Sequence, residues 1–240
     1  MNNSYHFMLN SDFEDEYDIF FDDWRTHKTQ DNSIIFNRLM VSGLDRPGMF
    51  RSLKHLECRV IPHGIVKDLY QEKQVEFEHT SKRVTSRFFV EWWPELLEFV
   101  VYLDENAHAG QGKIKVSAAT AIKEYSDKLA SIYMPGYGNC SFRHLQIGRK
   151  KFWLQYESFD DWRSNCGENW CINVLSGPED IMNDPNRRGI RAPLYAIDYV
   201  VSDRMYAIDL NVSPGLRATG IYQYMSPKLV ADEIKNVLAK

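Results

Sequence analysis

The chain is poor in cysteine, has no long apolar run and carries no excess of basic charge. Its 240 residues include four cysteines, Cys58, Cys140, Cys166 and Cys171, with no C-x-x-C pair. That density is far below a disulfide scaffold, so reduced thiols in a cytoplasm are the plain reading. No apolar stretch approaches the ~20 residues that a membrane-spanning helix needs. The opening "MNNSYHFMLNSDFEDEYDIFFDDW" is acidic and lacks the basic, apolar and small-residue order of a secretory signal. A formal net charge of -4 argues against a general nucleic-acid binder, so any phosphate ligand has to be held by local charge. What is present, 44% hydrophobic and 26% charged residues, suits a soluble globular protein with one large domain or two small ones.

The order of elements reads as α+β. Ser11 to Trp24 mixes acidic and aromatic residues, as an amphipathic helix with an acidic face or a loosely held arm would. "FNRLMVSGLDRPGMFRSLKHLECRVIPHGIVKDLYQEK" predicts a helix, a Gly/Pro turn, a second helix, the short strand "CRVIP" and a further helix from about Ile65. "SRFFVEWWPELLEFVVYLDE" holds two strand-like runs separated by Pro94. A loop, "NAHAGQGK", then leads into the strand "KIKV", and "SAATAIKEYSDKLASIYM" predicts a helix capped by Ser117. "SFRHLQIGRKKFWLQYES" alternates on both sides of a Gly-Arg turn and predicts a hairpin; "PLYAIDYVVSDRMYAIDLNVSPG" predicts another, turning at Ser202 to Arg204. The end is an amphipathic helix with Ser226 as its cap and Pro227 at its first position. "FDDWR" occurs at Phe21 and again at Phe159, but the flanks differ, so it marks no structural repeat.

Chemistry concentrates in the last hairpin. Residues two apart on a strand share a face, so Asp209 and Asn211 project together, while Ile208, Leu210 and Val212 take the other side. Asp198, on the partner strand, comes near them across the tight turn. Two carboxylates and an amide oxygen form a hard, oxygen-only donor set suited to Mg²⁺. A polar, solvated sheet face would look similar. Arg163 stands beside Asp160 and Asp161 and could be a surface ion-pair partner, Arg187 and Arg188 fit a solvated loop, and His63, His108 and His144 show no metal spacing.

"AIDYVVSDRMYAIDLNVSPGL" resembles the closing segment of the ATP-grasp superfamily, in which an Asp on one strand and an acidic-x-Asn pair on the next hold the magnesium ions of ATP ahead of Ser-Pro-Gly. "FRHLQIGRKKFWLQYESFDDWRSN" looks like that family's hairpin and Arg-x-Asn motif, closest to the ligases that add glutamate to the C-terminus of a ribosomal protein. The resemblance covers about Leu96 to Gly220. It implies that Asp198, Asp209 and Asn211 ligate magnesium, with Asp209 bridging two ions. Arg163 would meet the phosphates and the developing acylphosphate, and Arg143 and Asn165 would contact the nucleotide. Gly110, Gly112 and Lys113 would cover the phosphates, and Tyr133 and Met134 would form the adenine hinge. Two departures stand out: Tyr102 occupies the position where the family commonly ends a strand in Lys, and Asp209 stands where Glu is common.

The resemblance therefore implies an α+β ATP-grasp fold, two subdomains clasping ATP, with a reduced N-terminal portion over residues 1–62 and the ATP-grasp domain over 63–240. The implied reaction joins a small carboxylate to an amine or peptide at the expense of ATP, with Mg²⁺ and through an acylphosphate, in the cytoplasm. The rival reading, which Tyr102 and the short N-terminal part motivate, is a nucleotide-binding or interaction protein that kept the fold and lost turnover. A nucleic-acid module built on the "GRKK" turn conflicts with the net acidity.

Overall fold

The computed structural model describes residues 5–8, 34–37, 46–81, 96–104, 110–136, 139–180, 194–211, 214–216 and 219–238. The acidic stretch 11–24, the first "FDDWR", the run 86–93, His108, Arg187 and Arg188 lie outside them. The chain folds as two compact units, one of residues 1–59 with 136–240 and the other of residues 60–135.

The first unit opens with two short parallel strands, β1 (Tyr5–Met8) and β2 (Ile34–Asn37), followed by α1 (Arg46–His55). Phe36 and Asn37, expected at the start of a helix, are in a strand, and the helix begins at Arg46, inside the expected Gly/Pro turn. Pro47 stands one residue into α1, where its missing N–H costs no hydrogen bond. Met49, Phe50 and Leu53 fall on one face and are fully buried.

The second unit holds β3 (His63–Ile65), α2 (Val66–Ser81), β4 (Glu98–Tyr102), β5 (Lys113–Ser117), α3 (Ala118–Glu124) and β6 (Leu129–Ile132). Its antiparallel sheet runs β3-β6-β4-β5. Ser117 caps α3 as expected, its Oγ accepting the N–H of Thr120 at 3.1 Å. The expected longer helix stops at Glu124, because Leu129–Ile132 forms a strand paired on both sides and buried throughout. Phe99, Val101, Ala130 and Ile132 pack with Val66 and Leu69 of α2 and with Ala118 and Ala121 of α3. The other side of the sheet carries the alternate residues, among them Glu98, Tyr102, Lys113 and Lys115.

Chain order then returns to the first unit with β7 (Asn139–Ile147), β8 (Lys150–Ser158), β9 (Trp170–Asp180), β10 (Leu194–Val201), β11 (Met205–Asn211) and the C-terminal helix α4 (Pro227–Leu238). The five-stranded antiparallel sheet runs β11-β10-β7-β8-β9. Both expected hairpins are there, turning at Gly148-Arg149 and at Ser202–Arg204. One face carries Leu145, Ile147, Phe152, Leu154, Leu194 and Ala196, packed against Val230 and Ile234 of α4. Ser226 Oγ accepts the N–H of Leu229 at 3.3 Å and starts that helix. Among the described residues no helix is long and apolar enough to cross a membrane.

Candidate functional site

The register of the first unit's sheet gathers the hairpin constellation. Asp198 stands directly opposite Asp209, and Ala196 opposite Asn211, so all of these side chains leave the same face. On the other neighbour of β10, Asp198 is opposite Arg143. The group therefore sits on the face that holds the core, just past Leu145 and Ala196, where the apolar layer ends. A bulge follows at once: Tyr199 pairs with Ala207, which leaves Ile208 as the extra residue. Bulges of this kind turn a strand and re-aim its side chains.

Each carboxylate meets an arginine. Arg143 donates from Nε to Asp198 Oδ1 at 2.6 Å and from Nη2 to Oδ2 at 2.8 Å. Its Nη1 donates to Tyr156 Oη at 3.0 Å, and the guanidinium lies 4.8 Å from the Tyr156 ring. The side chains of this pair are 14% and 17% exposed, so desolvation is substantial and the bidentate geometry has to offset it. Burial works against the charge on Arg143, but Asp198 outweighs it and the guanidinium pKa is raised. Asp209 receives Arg46, at the start of α1, with Nη1 3.2 Å from Oδ1. Sequence reasoning missed Arg46, because nothing in the local pattern links it to a strand 163 residues away.

Arg163 and Asn165 lie in the loop between β8 and β9. The Arg163 fork closes on its neighbour: Nε donates to Asp161 Oδ1 at 2.9 Å and Nη2 to Oδ2 at 2.8 Å. Those hydrogen bonds hold the Asp161 carboxyl below its ordinary range. Asn165 is exposed, and its Oδ1 faces the Cys166 thiol at 3.6 Å. The loop is tied down by Asp160, which accepts the N–H groups of Glu168 and Asn169 at 2.9 and 3.0 Å.

The remaining candidates belong to the second unit. Gly110 and Gly112 adopt positive φ values of 77° and 61°, and the Gly112 carbonyl accepts the N–H of Leu103 at 2.7 Å, closing the turn between β4 and β5. Lys113 is directly opposite Tyr102, with Nζ 5.4 Å from that ring. Tyr102 is 3% exposed, and its hydroxyl lies 3.4 Å from Ser131 Oγ. Two residues along β5, Lys115 places Nζ 4.2 Å from the Tyr133 ring and 3.6 Å from Glu98 Oε2. Met134 packs against the unit's core. Lys115 went unnoticed in the sequence, although its spacing from Lys113 puts both on one face.

Among the solved structures that resemble the chain over most of its length are two ligases. The ATP-grasp ligase PsnB, complexed with a minimal precursor, matches at a TM-score of 0.52 and 12% identity, over 86% of this chain and 64% of PsnB. A RiPP-associated ATP-grasp ligase of Chryseobacterium gregarium, in complex with ADP and a leader and core peptide, matches at 0.51 and 13% identity, over 96% of this chain and 71% of its own. The chain has the ATP-grasp fold. No protein-family model and no curated protein matches the sequence. The chain spans less than two thirds of the length of PsnB.

The donors are of a kind that would suit a hard cation such as Mg²⁺. They are oxygen atoms only, on one face, and a carboxylate oxygen that accepts one hydrogen bond retains a second acceptor position. Among the described residues no group of three or more His, Cys, Asp or Glu side chains could hold a metal ion. A metal at Asp198 and Asp209 would therefore complete its coordination with the Asn211 amide, water and phosphate oxygens.

Proposed function

We infer that the protein is an ATP- and magnesium-dependent ligase that joins a carboxylate to an amine through an acylphosphate. One observation carries the reading: within an ATP-grasp fold, Asp198 and Asp209 face each other across a hairpin with Asn211 on the same face. Those three residues would hold the metal, which when bound would offset phosphate charge during transfer. Arg143 keeps the Asp198 carboxylate oriented. Lys113 and the turn at Gly110 and Gly112 would receive the phosphates, and Tyr133 and Met134 the adenine. Arg163, released from Asp161, would stabilise charge on the transferring phosphoryl group, with Asn165 beside it.

In this scheme the substrate carboxylate attacks the γ-phosphorus, the bond to the bridging oxygen breaks, and ADP leaves. The amine then attacks the acyl carbon, phosphate departs with the carbon–oxygen bond electrons, and the amine proton passes to phosphate or solvent. No covalent enzyme nucleophile takes part. The motif order favours the type that adds an amino acid to a peptide C-terminus, and the peptide held by the C. gregarium ligase agrees with a peptide as one substrate.

Tyr102 and the closed Arg163–Asp161 pair favour a second reading, a nucleotide-binding protein without turnover. Magnesium-dependent ADP release in the presence of pooled amino acids and peptides decides between them. A ligase should release ADP with at least one pool, and Arg163→Lys should lower its turnover about a thousandfold with ATP affinity nearly unchanged. ATP binding with no release from any pool would favour the second reading.

A further inference from the structure

The acid pair of the first unit brings its own cations. Arg143 engages both oxygens of Asp198, and Arg46 engages Oδ1 of Asp209. The second contact is no chance meeting of mobile side chains. Arg46 is buried at 7% exposure and also reaches Met49 Sδ at 3.7 Å within its own helix. Beyond the end of α1, the carbonyl of Arg59 accepts the N–H of Ala207 on β11 at 2.8 Å. The helix is thus tied to the edge strand at both ends, and Arg46 is held where it meets Asp209.

We propose that Arg46 is a built-in counter-ion of Asp209, so that a divalent metal joins this site together with a polyphosphate rather than alone. The proposal rests on the reading of Asp198, Asp209 and Asn211 as the metal site. A metal held by Asp209 would share that carboxylate with the Arg46 guanidinium, and in a partly desolvated site two positive groups so close would repel strongly. The carboxylate charge is already matched, so a bare cation gains little from it. A polyphosphate reverses the balance, because its negative oxygens offset the metal's charge and supply its remaining ligands. Arg46 is then a positioning residue: it fixes the Asp209 carboxylate and sets the order in which metal and nucleotide arrive.

Calorimetry with Mn²⁺ on the full chain tests this, with and without ADP. Wild type should bind Mn²⁺ about tenfold or more tightly when ADP is present, after correction for the Mn²⁺–ADP complex; equal affinity in both conditions would overturn the proposal. That measurement needs no variant. Arg46→Gln and Arg46→Met, checked for folding by circular dichroism, should bind Mn²⁺ alone about tenfold more tightly than wild type, the size expected for losing one charge-assisted contact. Arg46→Lys, which keeps the charge, should stay near wild type, and Asp209→Asn should cancel the gain of the neutral variants. Neutral variants that tighten nothing, in a chain that still binds ADP with Mn²⁺, remove the counter-ion role and leave the site reading intact. A chain that never binds ADP with Mn²⁺ removes both.

Discussion

At the scale of single residues, the loop after β8 shows adjacent aspartates doing different work. Asp160 accepts N–H groups from Glu168 and Asn169 and organises the backbone, while Asp161 holds Arg163 through Nε, Nη2 and the backbone N–H. Gly167 belongs to the same device: its φ is +92°, and a Cβ there would lie 1.9 Å from Asp160 Oδ1. The ion pair at Arg163 was open to sequence reasoning because its partner is two residues away. The role of Asp160 was not, because its partners are backbone groups that converge only in the folded turn. Both carboxyls are held below their ordinary range: for Asp160, burial pushes upward but the N–H groups of Glu168 and Asn169 outweigh it, and for Asp161 the Arg163 hydrogen bonds dominate. A depressed carboxyl pKa contributes stability above the unfolded value near 4, and that contribution is lost as pH falls through the lower folded value. The loop should therefore loosen in acid, as pH falls below the ordinary aspartate value near 4. The Nε–H resonance of Arg163 reports it: the signal should lose its protected position below that value, and Asp161→Asn should abolish the protection at neutral pH. A signal that is unprotected at pH 7 in wild type would contradict the pairing.

At the scale of elements, legibility followed periodicity. The β7–β8 and β10–β11 hairpins could be read from the sequence because strict alternation is bounded by unambiguous turns, and β8 buries every second residue from Phe152 to Ser158. Elements buried on both sides, or interrupted, were not. β6 lacks alternation because all four of its residues are buried, so "LASI" reads like the end of a helix. In β9 the Ser-Gly-Pro within "CINVLSGPED" masked an eleven-residue strand. The bulge at Ile208 leaves no mark on composition, although it lies beside the site. On the proposed reading Lys113 stands in for the lysine absent at Tyr102, because it is the cross-strand partner of Tyr102. Lys113→Ala should weaken ADP binding in the presence of Mg²⁺ about tenfold, one charge-assisted contact, with little change in melting temperature because the ammonium's contact is with the face of the Tyr102 ring. Tyr102→Lys should instead lower the melting temperature, since it replaces a buried ring with an ammonium. Calorimetry and thermal melts on the two variants separate a ligand role from a structural one.

At the scale of the whole molecule, each unit holds an antiparallel sheet with one face packed on helix, and the candidate residues divide between the two units. Asp198, Asp209, Asn211, Arg143, Arg163 and Asn165 belong to the first, and Gly110, Gly112, Lys113, Tyr133 and Met134 to the second. Helix α1 goes with the C-terminal sheet although more than eighty residues separate them, a grouping that no local pattern announces. If the functional reading holds, the nucleotide and metal bind the folded chain and not the unfolded one, so they must raise its stability by linkage. At a ligand concentration about 100 times the dissociation constant the gain is about 2.7 kcal/mol. For a chain of this size that corresponds to a rise in melting temperature of about 5–10 °C. ADP with Mg²⁺ should produce the shift, and Mg²⁺ alone should give almost none, because Arg46 and Arg143 already match the two carboxylates. The control needs care: Asp209→Ala would take the carboxylate from the buried Arg46, a loss that is strongly destabilising in its own right. Asp209→Asn combined with Asn211→Ala keeps an oxygen acceptor for Arg46 while removing the carboxylate charge and the second amide. That variant should lose less stability than Asp209→Ala, because the amide oxygen can still accept from Arg46, and should show no shift with ADP and Mg²⁺. A wild-type shift that survives unchanged in the double variant would place the nucleotide away from this hairpin and reject Asp209 and Asn211 as its metal ligands.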